Sequence, residues 1–444
     1  MSHYTKEDII NLVEEEDVAF IRLQFTDIYG NFKNVAVTAG QLEEVLNNKC
    51  MFDGSSIVGF ARIEESDMFL IPDLDTFAIF PWRPHQGKVA RLICNIEKPD
   101  GDPFEGDTRK LLQDAVADAQ KLGYTMQIGP ECEFFLFHTD DNGYPTTESH
   151  ETAGYFDMGP LDYGENARRD MVMNLEEMGF HIEASHHEGA PAQHEIDFRY
   201  DGAVETADNI QTFKMAVRTV ARQHGLHATF MPKPKAGMDG SSMHINISLH
   251  KEGKNIFGDD SDPNGLSQEA YWFIGGIIKH IKGMTAVLNP IINSYKRLQP
   301  GYEAPAYIAW GTGNRTPLIR IPYSADIEHR RIELRSPDSA SNPYLAIAVC
   351  LKAGLDGIKN RIVPPAPISG NVNRMTEAER SKQGIERLPN TLHQATRFLE
   401  ADDFVCKVLG DHITRHMLET QKKEWAEYSS QVSAWELEKY LGRM

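Results

Sequence analysis

The chain has 444 residues, 41% hydrophobic and 25% charged, long enough for two to four domains at roughly 100–200 residues each. Its 45 Lys and Arg face 65 Asp and Glu, a net charge of −20. That excludes the basic stripe of a nucleic-acid binder and a docking face for anionic membranes, and it leaves open an anionic substrate neutralised by metal ions or clustered Arg.

The first residues carry the acidic run Glu14–Asp17 and no apolar core segment, so no secretory signal is expected. No stretch reaches the ~18 apolar residues of a membrane span. Cys50, Cys94, Cys132, Cys350 and Cys406 are scattered and odd in number. They read as buried thiols of a reducing cytosol, so a cytoplasmic protein is expected.

Thr5 and Asp8 before Ile9, Ile10, Leu12 and Val13 predict a capped amphipathic helix. Ile21, Leu23 and Phe25 alternate with Arg22 and Gln24, a half-buried strand. Further strands are expected at Phe77–Phe80 and Val89–Ile96. The turn-rich stretch Lys98–Asp107 marks a boundary, giving a small, mainly β domain over residues 1–105 and a large one over 106–444. Leu111, Leu112, Ala115, Ala119 and Leu122 mark a helix. From Gln127 to Arg335 strands and helices alternate. Asn342 is read as an N-cap with Pro343 in the first turn, and helices dominate thereafter. The class is α+β, a mostly antiparallel sheet backed by helices.

Several strands carry polar residues on one face. Glu131 and Glu133 point the same way, near the start of an otherwise aromatic and apolar strand. Glu188 and Glu195 flank a hairpin turn that brings both to one rim. His186, His187 and His194 beside them read as hydrogen-bonding groups. His244, Asn246 and Ser248 share a face, as do Arg331, Glu333 and Arg335. The last set is either a salt-bridged sheet surface or a polyanion clamp around a metal ligand. If the faces converge, five carboxylates and a histidine meet, and only cations could hold them together. Oxygen-rich donors favour Mg²⁺ or Mn²⁺, and two or three such ions suit phosphoryl transfer. There is no P-loop and no kinase signature, so a nucleotide is held some other way. Lys296, Arg297, Arg315 and Arg320 form a local basic cluster around Gln299–Pro305, which reads as a lid carrying Glu303. The residues alone point to a divalent-metal phosphotransfer enzyme or a ligase.

These motifs resemble type I glutamine synthetase, of the shorter bacterial kind without adenylylation, over essentially the full length. The matching stretches are DGSS from Asp53, ECEFFLF from Glu131, HHEGAPAQHEIDF from His186, KPKAGMDGSSMH from Lys233, NSYKRLQPGYEAP from Asn293, NRTPLIRIP from Asn314 and RIELRSPDSASNPY from Arg331. The resemblance implies a small β-grasp domain, then a catalytic domain with a curved antiparallel sheet and helices. It implies ATP-dependent ligation of ammonia to L-glutamate through γ-glutamyl phosphate. Glu131, Glu133, Glu188, Glu195, His244 and Glu333 match metal ligands. Arg315 and Arg335 match phosphate and carboxylate contacts, Arg297 a glutamate contact, and Asp239 and Gly240 further substrate positions. Asn246, Ser248, Arg315 and Arg320 fall at ATP positions. Asp53, Ser56, Tyr155 and Glu188 match the ammonium pocket, with Asp53 taking the proton, and Glu303 matches the lid. Twelve subunits in two rings are implied, with Asp53 acting across an interface. Arg62 and Glu424 match positions of glutamine feedback, and a transcription regulator is a further implied partner.

The sequence departs from the family pattern at Val58, Cys132, Ala192, Asp239 and Ser242, where Glu, Pro, Gly, Asn and Gly are usual. Glu386 stands where the other subclass has its modified Tyr. Two other readings compete: a γ-glutamyl ligase for an organic amine on the same scaffold, and a catalytically dead sensor that binds transcription regulators.

Overall fold

Thr5 and Asp8 cap each other's backbone and start a helix at Lys6–Glu15, as their spacing predicts. Five strands follow: β1 (Val18–Thr26), β2 (Phe32–Thr38), β3 (Cys50–Asp53), β4 (Asp67–Ile79) and β5 (Lys88–Glu97). In the computed structural model, which describes residues 4–59, 66–83 and 86–443, they form one sheet in the order β2-β1-β5-β4-β3. β1 and β5 run parallel, and the other neighbours antiparallel. Ile21 and Leu23 of β1 pack with Leu70, Leu92 and Ile96 against Ile9 and Val13 of the helix, a hydrophobic core of its own.

A second sheet of ten strands carries the rest. Its strands are β6 (Thr125–His138), β7 (Ile182–His187), β8 (Gln193–Phe198), β9 (Asp201–Gly202), β10 (Leu226–Thr229), β11 (Met243–Lys251), β12 (Lys254–Asn255), β13 (Trp310–Thr312), β14 (Ile319–Ile321) and β15 (Ile332–Leu334). The main path is β13-β14-β15-β11-β6-β8-β7, antiparallel except at β13–β14. One face of the sheet is apolar. Ile128, Cys132, Phe134, Ile196, Ile245, Ile247, Ile332 and Leu334 join a core built with helices Ala203–Gln223, Gln268–Leu288 and Pro343–Asn360. The expected α+β architecture is present: a β-grasp part, then a larger part of sheet and helices.

Asn342 caps its helix through Oδ1, which accepts the N–H groups of Tyr344 and Leu345. Its Nδ2 donates to the Asp27 carbonyl at 3.0 Å and to Thr108 Oγ1 at 3.2 Å, tying the two parts together. Gly30 (φ +82°) makes that approach possible, since a Cβ there would lie 3.0 Å from Asn342 Cα. Arg109 completes the seam, with Nη2 2.7 Å from both Asp73 and Asp208.

Two local expectations are corrected. The helix predicted to reach Leu122 ends at Lys121, and Leu122 stands 56% exposed at its C-cap. Cys94, Cys132 and Cys350 are buried thiols, but Cys50 and Cys406 are only half-buried. No helix among the described residues is long and apolar enough to cross a membrane.

Candidate active site

Strand register assembles the site. On β6, Glu131 and Glu133 project from the face opposite the apolar core. β8 pairs Asp197 with Glu131 and Glu195 with Glu133. β7 places His186 opposite Glu195. On the other side, β11 sets His244 opposite Glu131, and β15 sets Glu333 opposite Asn246. β14 adds Arg320 opposite Glu333. Each side chain reaches the same face because each strand alternates with period two.

A cavity of about 360 Å³ opens over this face. It is lined by the carboxylates Glu131, Glu133, Glu188, Glu195, Asp197, Asp239, Glu303 and Glu333. Against these eight stand four guanidiniums, those of Arg297, Arg315, Arg320 and Arg335. Fully ionised, the lining carries four surplus negative charges, which two divalent cations would balance.

The carboxylates divide by surroundings. Burial pushes the Glu131 carboxyl up, but the His244 ring at 3.0 Å, the Asn246 amide at 2.9 Å and Arg335 outweigh it and hold it down at about 2. Burial raises Asp197 to about 8, with the charge of Glu131 adding to it. Glu188 and Glu195 are raised for the same two reasons, burial and neighbouring carboxylates. Glu133 accepts three hydrogen bonds: from Ser242 N–H at 2.9 Å, Ser242 Oγ at 2.6 Å and Gln193 Nε2 at 2.9 Å. The unusual Ser242 therefore touches a carboxylate of the site. Glu333, 0% exposed, lies between Arg320 Nη1 at 2.6 Å and Arg335 Nη1.

In the cavity, two groups of donors have the spacing of a cation site: Glu131 with His244 and Glu333, and His186 with Glu188 and Glu195. Within each group the possible ligand atoms lie within 4.8 Å of one another. His244 Nε2 and His186 Nδ1 are buried and lack a hydrogen-bond partner among the described residues. A buried imidazole nitrogen without a partner, beside clustered carboxylates, is the signature of a place meant for a cation, and at His186 the neighbouring Glu188 and Glu195 are raised by burial and by nearby acids. The residues present fit divalent ions.

The cavity gathers Glu131, Glu133, Glu188, Glu195, His244, Glu333, Tyr155, Asp239, Gly240, Arg297, Glu303, Arg315, Arg320 and Arg335. Arg297 is anchored beneath it by bonds to the Ser336 and Arg335 carbonyls at 2.7 and 2.9 Å. Asp239 Oδ1 accepts the backbone N–H of Glu303 at 3.4 Å. Asn246 and Ser248 do not line the cavity. Asn246 donates to Glu131 and accepts from Arg331 Nε at 2.9 Å, and Ser248 contacts His250. Asp53 ends the edge strand β3 and Ser56 lies in the turn after it, where Ser55 and Ser56 hydroxyls at 2.6 and 3.1 Å hold the Asp53 carboxyl below the usual range. Glu424 lines a separate cleft and accepts the Ile292 N–H at 3.0 Å. Arg62 lies outside the described residues.

Sequence reasoning missed Asp197 and Gln193, although both share the period-two face of Glu195. It also grouped three histidines together. His187 and His194 are hydrogen-bonded as expected, whereas His186 faces the acids of the cavity.

Residues 17–99 match the glutamine synthetase β-grasp domain, and residues 105–440 match the glutamine synthetase catalytic domain. The glutamine synthetase of Clostridium saccharobutylicum is 61% identical over 443 residues, covering 100% of both chains. That of Staphylococcus aureus (strain N315) is 55% identical over 439 residues, 99% of this chain and 98% of the relative. The solved structure of a GmaS/ADP complex superposes with a TM-score of 0.89 at 33% identity, over 98% of this chain and 99% of that one. The glutamine synthetase of Plasmodium falciparum, 24% identical and covering 99% of both chains, shares the fold with a TM-score of 0.89. The chain belongs to the glutamine synthetase family.

Proposed function

We propose that the acid-and-arginine cavity is where ATP, L-glutamate and ammonium meet. The activity is ATP-dependent ligation of ammonia to L-glutamate. A glutamate side-chain oxygen attacks the γ-phosphorus of ATP, the bond to the bridging oxygen breaks, and ADP leaves. Ammonia then adds to the acyl carbon of γ-glutamyl phosphate, and phosphate departs with the bonding electrons.

Glu131, Glu133, Glu188, Glu195, His244 and Glu333 would hold two or three Mg²⁺ or Mn²⁺ ions. When bound, these neutralise phosphate oxygens and the surplus carboxylate charge. Arg315 and Arg335 steady the transferring phosphate. Arg297, with two of its donors spent on backbone carbonyls, keeps the others for a glutamate carboxylate. Arg320, Asn246 and Ser248 serve the ATP side. Asp239 and Gly240 line the glutamate side. Glu303 closes the lid and keeps water from the acyl phosphate. Tyr155 and Glu188, with Asp53 and Ser56 from a neighbouring subunit, receive ammonium, and Asp53 takes its proton.

The division at residues 105 and 106, a cytoplasmic dodecamer, glutamine feedback through Arg62 and Glu424, and a transcription regulator as partner belong to the same proposal. The separate core of the first sheet supports the division.

The observation that carries this reading is the gathering of eight carboxyl groups and four guanidiniums around one cavity. Relatives at 55–61% identity bear the glutamine synthetase name, and they favour ammonium over an organic amine. Phosphate release with glutamate plus ammonium, against glutamate plus ethanolamine or a polyamine, tests it. Ammonium should be preferred by about two decades or more in kcat/KM. Equal turnover with an amine would reverse the assignment.

A further inference from the structure

The β7–β8 hairpin has two faces. His186 and Glu195 point into the cavity. His187 and His194, a directly opposed pair, point away from it into a buried polar layer, each 0% exposed. There Glu151, Asp162, His187 and His194 bring possible ligand atoms within 4.8 Å, a spacing that a metal could use. Arg168 fills the space instead. Its Nη1 lies 2.7 Å from Asp162 Oδ2 and 2.8 Å from His194 Nδ1. A guanidinium only donates, so His194 Nδ1 accepts, and the cation that this layer needs is already covalently part of the chain.

His187 is engaged at both ring nitrogens. Nδ1 lies 2.6 Å from the Glu188 carbonyl oxygen, which can only accept, so Nδ1 carries a hydrogen. Nε2 lies 2.8 Å from Glu151 Oε1. The other oxygen of Glu151 accepts the Tyr163 N–H at 3.0 Å. Between these points, Phe156 N–H donates to the His187 carbonyl at 3.1 Å. The segment from Glu151 to Tyr163 is thus fastened to the back of the hairpin, while its Tyr155 turns to the front beside His186, with ring centroids 5.6 Å apart. Neither Glu151 nor His187 lines the cavity.

We propose that Glu151 and His187 are positioning residues for the ammonium subsite, fixing Tyr155 and Glu188 relative to each other through one buried imidazole. This rests on the reading of Tyr155 and Glu188 as ammonium contacts. An ion as small as ammonium has no remote group to bind by, so its site depends wholly on the placement of a few acceptors. Substrates held elsewhere in the cavity do not share that dependence.

The test is steady-state kinetics for each substrate on the assembled enzyme, joined to hydrogen exchange of residues 151–163. Glu151→Ala should raise the ammonium KM by about tenfold while the glutamate and ATP KM values stay within about twofold. Exchange in the segment should rise with it. Glu151→Gln, which keeps one accepting oxygen, should recover most of the loss. If Glu151→Ala fails to assemble, His187→Gln carries the same test through the same selective rise, with Glu151→Gln close to wild type beside it. Equal rises for all three substrates, or an unchanged ammonium KM beside faster exchange, would overturn the proposal. Tyr155→Phe separates the two layers of argument. An ammonium KM raised by Tyr155→Phe but not by the Glu151 or His187 variants sinks only the positioning role. An ammonium KM untouched by Tyr155→Phe sinks the subsite reading itself.

Discussion

Glu333 and Asp197 carry the same charge over the same cavity, yet their neighbours make them respond in opposite ways to removal. Glu333 lies between the guanidiniums of Arg320 and Arg335, whose Nε atoms are buried without partners among the described residues. Glu333→Ala takes the carboxylate from its buried pair with Arg335 and should cost about 3 kcal/mol of stability in EDTA, besides abolishing turnover. Asp197 is a carboxyl whose ordinary value of 3.8 is raised to about 8 by burial and by Glu131. Folding favours its protonated form, so the metal-free enzyme loses stability as pH rises from about 4 through about 8. Asp197→Asn should flatten that decline, and thermal melts in EDTA across the range would reveal it. Melts that rise with pH in wild type would contradict the assignment. Asp239 is a milder case. Its carboxylate takes the backbone N–H of Glu303 and helps hold the nearby Lys233, whose ammonium burial otherwise disfavours. An amide oxygen can accept the same bond. Asp239→Asn should therefore lower the glutamate KM by less than about threefold, where direct repulsion of substrate at an effective dielectric near 20 implies a decade or more.

At the scale of elements, alternation and capping made much of the architecture legible. The Thr5–Asp8 box, the Asn342 cap and the shared face of Glu131 and Glu133 follow from local chemistry that the fold leaves intact. Which strand lies beside which does not. Glu131 meets His244 on one side and Asp197 on the other because strands more than a hundred and about sixty residues away pair with β6. No single-sequence period encodes that register. β14 is three residues long, too short for alternation to announce it, whereas β15, equally short, is legible through the flanking Arg331 and Arg335. The hairpin between Glu188 and Glu195 offers a test at this scale. Ala192, where the family usually has Gly, sits at φ +70° and is fully buried. A left-handed Cβ costs about 1–2 kcal/mol, and the extra unfolded-state freedom of Gly returns part of it. Ala192→Gly should raise stability by about 0.5–1 kcal/mol with kcat nearly unchanged, since Glu188 and Glu195 keep their places on either side of the turn. A lower melting temperature would show that the methyl group's packing outweighs the backbone strain.

At the scale of the whole molecule, the residues proposed for the ammonium subsite do not meet within one chain. Asp53 and Ser56 stand on the edge strand β3 and the turn after it, away from the cavity that holds Tyr155 and Glu188. Large apolar side chains are exposed beside both halves. Val58 follows Ser56 at 74% exposure, and Phe156 and Met158 follow Tyr155 at 61% and 73%. Exposed apolar residues next to two halves of one proposed site fit a contact in which the Asp53 turn of one subunit covers the Tyr155 segment of the next. Asp53→Ala and Arg335→Ala subunits should each be inactive alone, because every interface lacks one half. Mixed in equal amounts, unfolded or dissociated, and reassembled, they should form some interfaces that join an intact Asp53 to an intact Arg335. Random assembly in a closed ring makes that about one interface in four, so roughly a quarter of wild-type activity is expected. The remaining interfaces carry one or two damaged halves. Mass measurement of the mixed oligomers must accompany the assay. Verified mixed rings with no recovered activity would place Asp53 in the service of its own chain's cavity, and the turn that carries it would then have to move.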